Sequence, residues 1–298
     1  YLQARAIQEK TIGKQHYDYA VLLNNLALLY YYLQDYEKAE LFFLEALSVY
    51  EKVLGKEHLK FAACLDGLGL IYYQMGDYEK AEPIYLESKA IYEKKLGIEH
   101  PQYASCLNNL AILYNDMGNS KKAETLYLEA QSIIEKTQGK ENPEYAVSLN
   151  NLALRYHDDG DYEKAELLYL EAIAIYEKIQ GKESPWYAIS LFNLGTHYFD
   201  KGDYEKAEPL HVEAKALLEK TLGKEHPIYA EALDDLATLY LGIDNYEKSE
   251  QLYVESTAIR EKVLGKGHPD YVSGLRNLAP LYMAMGNYEK AEPLYLEA

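Results

Sequence analysis

A chain of 298 residues with 48 acidic against 30 basic side chains carries a formal charge of −18. That balance argues against nucleic acid as a partner, since phosphate neutralisation needs clustered Lys and Arg, and against an anionic membrane surface. The hydrophobic fraction of 48% supports a continuous core, and 32 Tyr against five Phe and one Trp suit a thin, elongated protein whose rings pack while their hydroxyls reach water.

One string sets the rhythm. Asp161-Tyr162-Glu163-Lys164-Ala165-Glu166 returns as Asp35–Glu40, Asp77–Glu82, Asn119–Glu124, Asp203–Glu208, Asn245–Glu250 and Asn287–Glu292, always at a step of 42 residues. A fixed period of this size predicts an all-α solenoid in which each unit buries its apolar face against its neighbours. In chain order the reading is a partial second helix over 1–13, then repeats at 14–55, 56–97, 98–139, 140–181, 182–223, 224–265 and an incomplete 266–298, all one domain, 1–298.

Residues 140–181 serve as the worked unit. Gly139 and Gly181, with Gly13, Gly55, Gly97, Gly223 and Gly265, stand just past apolar-periodic runs, where the αL C-cap of a helix is expected. Three residues on, His16, His58, His100, Asn142, Ser184, His226 and His268 precede a residue that is mostly Pro, the usual first residue of a helix. These polar residues therefore read as N-caps, and the five histidines among them as caps rather than metal ligands. The first helix is predicted over Pro143 to Asp158, with Leu152 and Tyr156 on one face and small Ala153 admitting a partner helix. Gly160 turns the chain, Asp161 caps the second helix, and that helix runs from Tyr162 to about Ile179, packing through Ala165, Tyr169 and Ala172; Glu163 and Lys164 read as solvated. Pro83, Pro209 and Pro293 sit inside second helices and predict slight bends, while Pro280 is expected to interrupt the last first helix. Cys64 and Cys106 share one slot in adjacent repeats, too far apart for a disulfide when helix axes lie roughly 8–10 Å apart. They read as reduced packing residues of a cytoplasmic protein. No run of 18 apolar residues occurs, so no membrane span is predicted.

Leu152, Ala153, Tyr156, Gly160, Tyr162, Ala165, Tyr169 and Ala172 fall on the tetratricopeptide-repeat pattern. The 42-residue length, Asn-Asn-Leu-Ala at 150–153 and Leu-Gly-Lys-Glu-His-Pro at 222–227 resemble the longer repeats of kinesin light chains and of bacterial proteins carrying such arrays. The resemblance implies a right-handed superhelical solenoid of antiparallel helix pairs, with first helices lining a groove that binds peptides. On that footing the predicted lining is an Asn ladder, Asn25, Asn109, Asn151, Asn193 and Asn277, broken by Gly67 and Asp235. Beside it, in one slot, stand Asn24, Asp66, Asn108, Asn150, Phe192, Asp234 and Arg276, and a turn or two on come Tyr31, Tyr73, Asn115, Asp116, His157, Asp158, Phe199 and Asp200. In the family, Asn at the ladder slot contacts peptide main chain; an Asn there can equally bond a neighbouring helix or its own backbone.

Counting Asp66, Asp116, Asp158, Asp200, Asp234, Asp235 and Glu231 against Arg276, the groove reads as acidic. It thus departs from the basic groove by which kinesin light chains hold acidic, Trp-bearing peptides, and a neutral or basic peptide is the expected partner; acidic faces that simply keep an array soluble are the plainer account. Arg155 and His197 break an otherwise aliphatic slot and, with His157, Asp158, Asp159 and Asp200, form either a polar or metal site or a wet stretch of groove; His211 reads as a satisfied core histidine. No phosphate loop, His-Glu-x-x-His or nucleophile elbow occurs, so no catalysis, cofactor or metal is assigned. The expected function is a non-enzymatic peptide-binding scaffold. Alternatives are the sensor arm of a larger signalling protein, an NTPase or caspase-like protease, and a self-associating spacer. Chain ends in mid-helix predict an interior segment of a longer protein, with apolar Tyr1, Leu2, Leu294 and Leu296 favouring head-to-tail contacts.

Overall fold

The computed structural model describes residues 13 and 15–297. The expectations at Tyr1, Leu2 and the partial helix before Gly13 therefore lie outside the described residues. Within them the chain forms 14 helices and two compact units, Tyr1–Lys140 and Glu141–Ala298. The first unit contains α1 (Tyr17–Tyr32), α2 (Tyr36–Leu54), α3 (Leu59–Gln74), α4 (Tyr78–Leu96), α5 (Pro101–Asp116) and α6 (Ser120–Gln138). The second contains α7 (Pro143–Asp158), α8 (Tyr162–Gln180), α9 (Pro185–Asp200), α10 (Tyr204–Leu222), α11 (Pro227–Gly242), α12 (Tyr246–Leu264), α13 (Pro269–Ala284) and α14 (Tyr288–Glu297). Odd-numbered helices are the first helices of the repeats. Within each unit every helix packs on the next, and each first helix also touches the first helix of the following repeat.

Local chemistry sets the boundaries. His16, His58, His100, His226 and His268 each accept, through the side chain, the amide two residues on, as do Asn142 and Ser184. That satisfies an amide the helix start would otherwise orphan. Asp35, Asp77, Asp161, Asp203, Asn245 and Asn287 accept the amide three residues on at the second-helix starts, whereas Asn119 makes no side-chain cap bond. The glycines that close the second helices are not αL as expected: φ lies between 80 and 85° with ψ between 159 and 171°. That region is closed to residues with a Cβ, so the requirement for Gly there is stricter than an αL cap would impose.

The core of each pair follows the spacing. Leu152 and Ala153 of α7 are buried with Tyr169 of α8, and the same slots are buried along both units except at Tyr295 of the last helix. A Cβ on Gly69 would meet the Tyr85 ring at 2.7 Å, and one on Gly195 the His211 ring at 3.0 Å; the small slot is where a ring from the second helix lands. Consecutive repeats are tied by a recurrent hydrogen bond in which the first-helix Tyr hydroxyl donates to the last Glu of the preceding repeated string. Tyr72–Glu40 and Tyr114–Glu82 in the first unit, and Tyr198–Glu166, Tyr240–Glu208 and Tyr282–Glu250 in the second, span 2.6–2.8 Å. Lys164, expected to be merely solvated, lies 4.8 Å from the Tyr156 ring centre and pairs with Asp161 at 2.6 Å. Lys80, Lys206 and Lys290 stand likewise over Tyr72, Tyr198 and Tyr282.

Two further expectations are corrected. Pro280 does not interrupt α13, which runs unbroken through it to Ala284; the residue is exposed. His211 is buried and only half satisfied, meeting the backbone of Gly195 while its Nδ1 has no partner. Cys64 and Cys106 are both free and buried, and burial pushes the Cys106 thiol up to about 12.

Candidate functional site

In the second unit α9 lies between α7 and α11, so residues one and two turns along three successive first helices converge. They enclose a hollow of about 300 Å³. α7 contributes Asn150, Asn151, Leu154, His157 and Asp158; α9 contributes Phe192, Asn193, Thr196, His197 and Asp200; α11 adds Asp235, and Tyr169 comes from α8. Of the residues expected at a site, Asn150, Asn151, His157, Asp158, Asn193, Asp200 and Asp235 meet here.

The polar atoms form a chain. His157 Nε2 lies 3.1 Å from Asp200 Oδ2, and its Nδ1 lies 3.0 Å from His197 Nδ1. His197 is 1% exposed, its ring edge-on to those of Tyr162 and Tyr198, and its Nε2 has no partner. Burial, and then the neighbouring His157, lower its pKa to about 4, so the ring is neutral near pH 7. Asn150 Nδ2 donates to Ser190 Oγ at 3.2 Å while its Oδ1 is buried without a partner. Asp235 accepts from Thr196 Oγ1 at 3.2 Å; burial raises its carboxyl to about 6. Arg155, the other oddity of the aliphatic slot, turns aside to pair with Asp159 at 2.6 Å. Among the described residues no group of three or more His, Cys, Asp or Glu side chains is placed to hold a metal ion.

The remaining expected residues lie elsewhere. Asn24, Asn25 and Tyr31 are on α1, Tyr73 on α3, and Asn108, Asn109, Asn115 and Asp116 on α5, all in the first unit. There Tyr73 OH donates to Asp116 Oδ2 at 2.5 Å, linking two first helices, and Asn108 Oδ1 is buried without a partner. In the second unit Phe199 leans on Tyr204, and Asn277 Nδ2 donates to Asp234 Oδ2 at 3.3 Å, the structural use of a ladder Asn. Asn109, Asn151 and Asn193 make no hydrogen bond among the described residues.

The acidic count shrinks. Asp66 turns into its own repeat to accept from Ser88 Oγ and Tyr92 OH, and Asp234, 6% exposed, is paired with Arg260 at 2.5 Å and accepts from Ser256. Neither lines the hollow, so the negative residues there are Asp158, Asp200 and Asp235. Thr196 and Tyr169 were not foreseen. Tyr169 was assigned to packing alone; Thr196 occupies the slot of Leu28, Leu70, Ile112 and Leu154, and that change from aliphatic to hydroxyl was the available signal. A wider hollow of about 510 Å³ in the first unit is lined by Leu86, Lys89, Tyr114, Lys122 and Leu126 among others, none of them an expected site residue.

Stacked helix pairs repeating at a fixed step, with polar groups of successive first helices gathered on one face, define a helical-hairpin repeat protein. The chain belongs to the tetratricopeptide repeat family, whose profile matches residues 1–52, 61–133, 107–178, 156–220, 186–262 and 244–298. Among solved structures it is similar to a Podosopora anserina protein described as a kinesin light chain with nearly identical TPR-like repeats, at 28% identity and TM-score 0.56, over 66% of this chain and 94% of that one. It is also similar in fold to the Rap conjugation gene regulator of plasmid pLS20, solved with the Phr* peptide (18% identity, TM-score 0.67, 94% of this chain and 73% of that one). A third likeness in fold is to the Pyrococcus horikoshii STAND protein with a tetratricopeptide repeat sensor, at 22% identity and TM-score 0.60, over 94% of this chain but 41% of that one. No curated protein matches the chain in sequence. Among the described residues no helix is long and apolar enough to cross a membrane.

Proposed function

We propose that this chain is a non-enzymatic scaffold that takes an extended peptide or partner helix along its first helices, with a neutral or basic segment preferred. The observation that carries the reading is the convergence of Asn150, Asn151, Asn193, Asp200 and Asp235 from three first helices on one hollow. Asn151 and Asn193 keep donor and acceptor unspent, which is what a peptide main chain requires. The Rap regulator gives the same kind of fold a peptide ligand. The test is a set of synthetic extended peptides of basic, neutral and acidic composition, assayed against the wild-type chain and an Asn109→Ala/Asn151→Ala/Asn193→Ala variant. Loss of about tenfold in affinity, with helicity unchanged by circular dichroism, is the expected result; equal binding by the variant removes the ladder from the account.

A second reading, the sensor arm of a larger signalling protein, is favoured by the STAND neighbour, of which this chain spans 41%. The open reading frame around the segment decides it, by encoding a catalytic domain or none.

A further inference from the structure

The hollow between α7, α9 and α11 is unbalanced in its hydrogen bonding. Asp200, a carboxylate, can only accept, so the proton on the facing His157 nitrogen sits at Nε2. With Nε2 carrying the one His157 proton, the 3.0 Å contact between the two Nδ1 atoms takes its proton from His197. With that proton placed, His197 Nε2 is a lone pair, and it is the atom left without a partner on a ring that lines the hollow and is 1% exposed. Asn150 Oδ1 is a second buried acceptor with no donor. Asp235 spends one oxygen on Thr196 Oγ1 and leaves the other without a hydrogen bond. Three acceptors on residues from three helices thus stand around a hollow lined by no cation, which the Tyr169 and Phe192 rings also border.

An unmatched buried acceptor costs about 1–3 kcal/mol, so two of them beside the open Asp235 oxygen ask for a ligand that donates and does not accept. An ammonium has three donors and no acceptor, and a guanidinium five. Either gains further from an aromatic face and from nearby carboxylates. About 300 Å³ is at the small end of ligand pockets, the size for one side chain rather than a whole effector molecule. We infer that this hollow is a specificity pocket for the cationic end of a single lysine or arginine side chain, read by His197 Nε2, Asn150 Oδ1 and Asp235. It rests on the peptide-scaffold reading and names the residue class that such a peptide inserts.

The test uses the full chain labelled with 15N-histidine and three small probes, the N-acetyl, N-methylamide derivatives of lysine, arginine and norleucine. The expected result is a saturable shift of the His197 Nε2 resonance with the lysine probe, the arginine probe or both, none with norleucine, and about tenfold weaker binding in Asp235→Asn, the loss of one charge-assisted hydrogen bond. The stronger of the two cationic probes identifies the source of the charge. An unmoved His197 resonance, an equal shift with norleucine, or full binding by a folded Asp235→Asn overturns the pocket. The scaffold is scored separately: a synthetic peptide that needs Asn109, Asn151 and Asn193 but binds equally after its lysines become norleucine overturns the pocket and leaves the scaffold standing. Probe binding without any peptide binding does the reverse.

Discussion

Asp235 stands where five other repeats carry Asn25, Asn109, Asn151, Asn193 and Asn277, and it is costly there. Burial, with Asp234, Glu231 and Asp200 close by, holds its carboxyl near 6. A carboxyl whose native value lies above its unfolded value near 3.9 takes up a proton on folding. Its contribution to stability is therefore present below about pH 4 and lost as pH rises through about 6. Asp235→Asn is expected to raise stability by about 3 kcal/mol at pH 7.5 and by about 1 kcal/mol at pH 4.5, compared by urea unfolding at both pH values. Equal stability of the two proteins at pH 7.5 contradicts the burial penalty. A residue kept at such a cost, where the array's own alternative is Asn, fits a binding role better than a packing one. His211 is the opposite case. Neutral and buried, with its pKa lowered to about 4, it replaces a Tyr against Gly195 much as Tyr85 sits against Gly69.

At the scale of elements, helix starts and stops were readable in advance because their causes are local. A cap and its amide are two or three residues apart, and the closing Gly answers to its own φ and ψ. What could not be read crosses between helices. The last Glu of the repeated string waits for a Tyr 32 residues later, as Glu166 does for Tyr198, and Lys164 finds the Tyr156 ring on the preceding helix. Tyr198→Phe removes one such tie and is expected to lower stability by about 1 kcal/mol without altering helicity, read as a shifted denaturant midpoint at constant slope. The hollow was half legible for the same reason. Its ladder and its imidazoles stand out as breaks in the period, but the acceptor character of the partnerless His197 Nε2 follows from a proton chain through His157 to Asp200 that the period does not encode. Asp66 and Asp234 were misjudged because side-chain direction at that slot differs by repeat: Phe192 borders the hollow while the two aspartates turn to the second helix.

Over the whole molecule the period is one of environment as well as of letters. Leu44, Leu86 and Leu128 in the first unit and Leu170, Val212 and Val254 in the second are all 43–47% exposed, so equivalent slots meet equivalent surroundings until the last helix, where Leu296 is 82% exposed. The −18 charge acts at this scale too. A lysine-bearing peptide should be drawn in faster than a neutral one at low salt. Raising salt to about 1 M, where the screening length falls to about 3 Å, should slow its association far more than its dissociation. Stopped-flow rates for the two peptides at both salt levels check this; equal salt dependence removes electrostatic steering.

The Tyr–Glu tie joins each second helix to the next first helix through the same two slots, so within a unit every junction is interchangeable. A copying error in the gene that duplicates or drops one 42-residue block leaves matched junctions on both sides, and repeat number can drift over generations without a folding penalty. The hollow has no such freedom. It draws Asn150, His197 and Asp235 from three successive first helices, and a block inserted between any two of them parts the acceptors. The junctions leave repeat number free, and the hollow ties down the order of the fourth, fifth and sixth repeats.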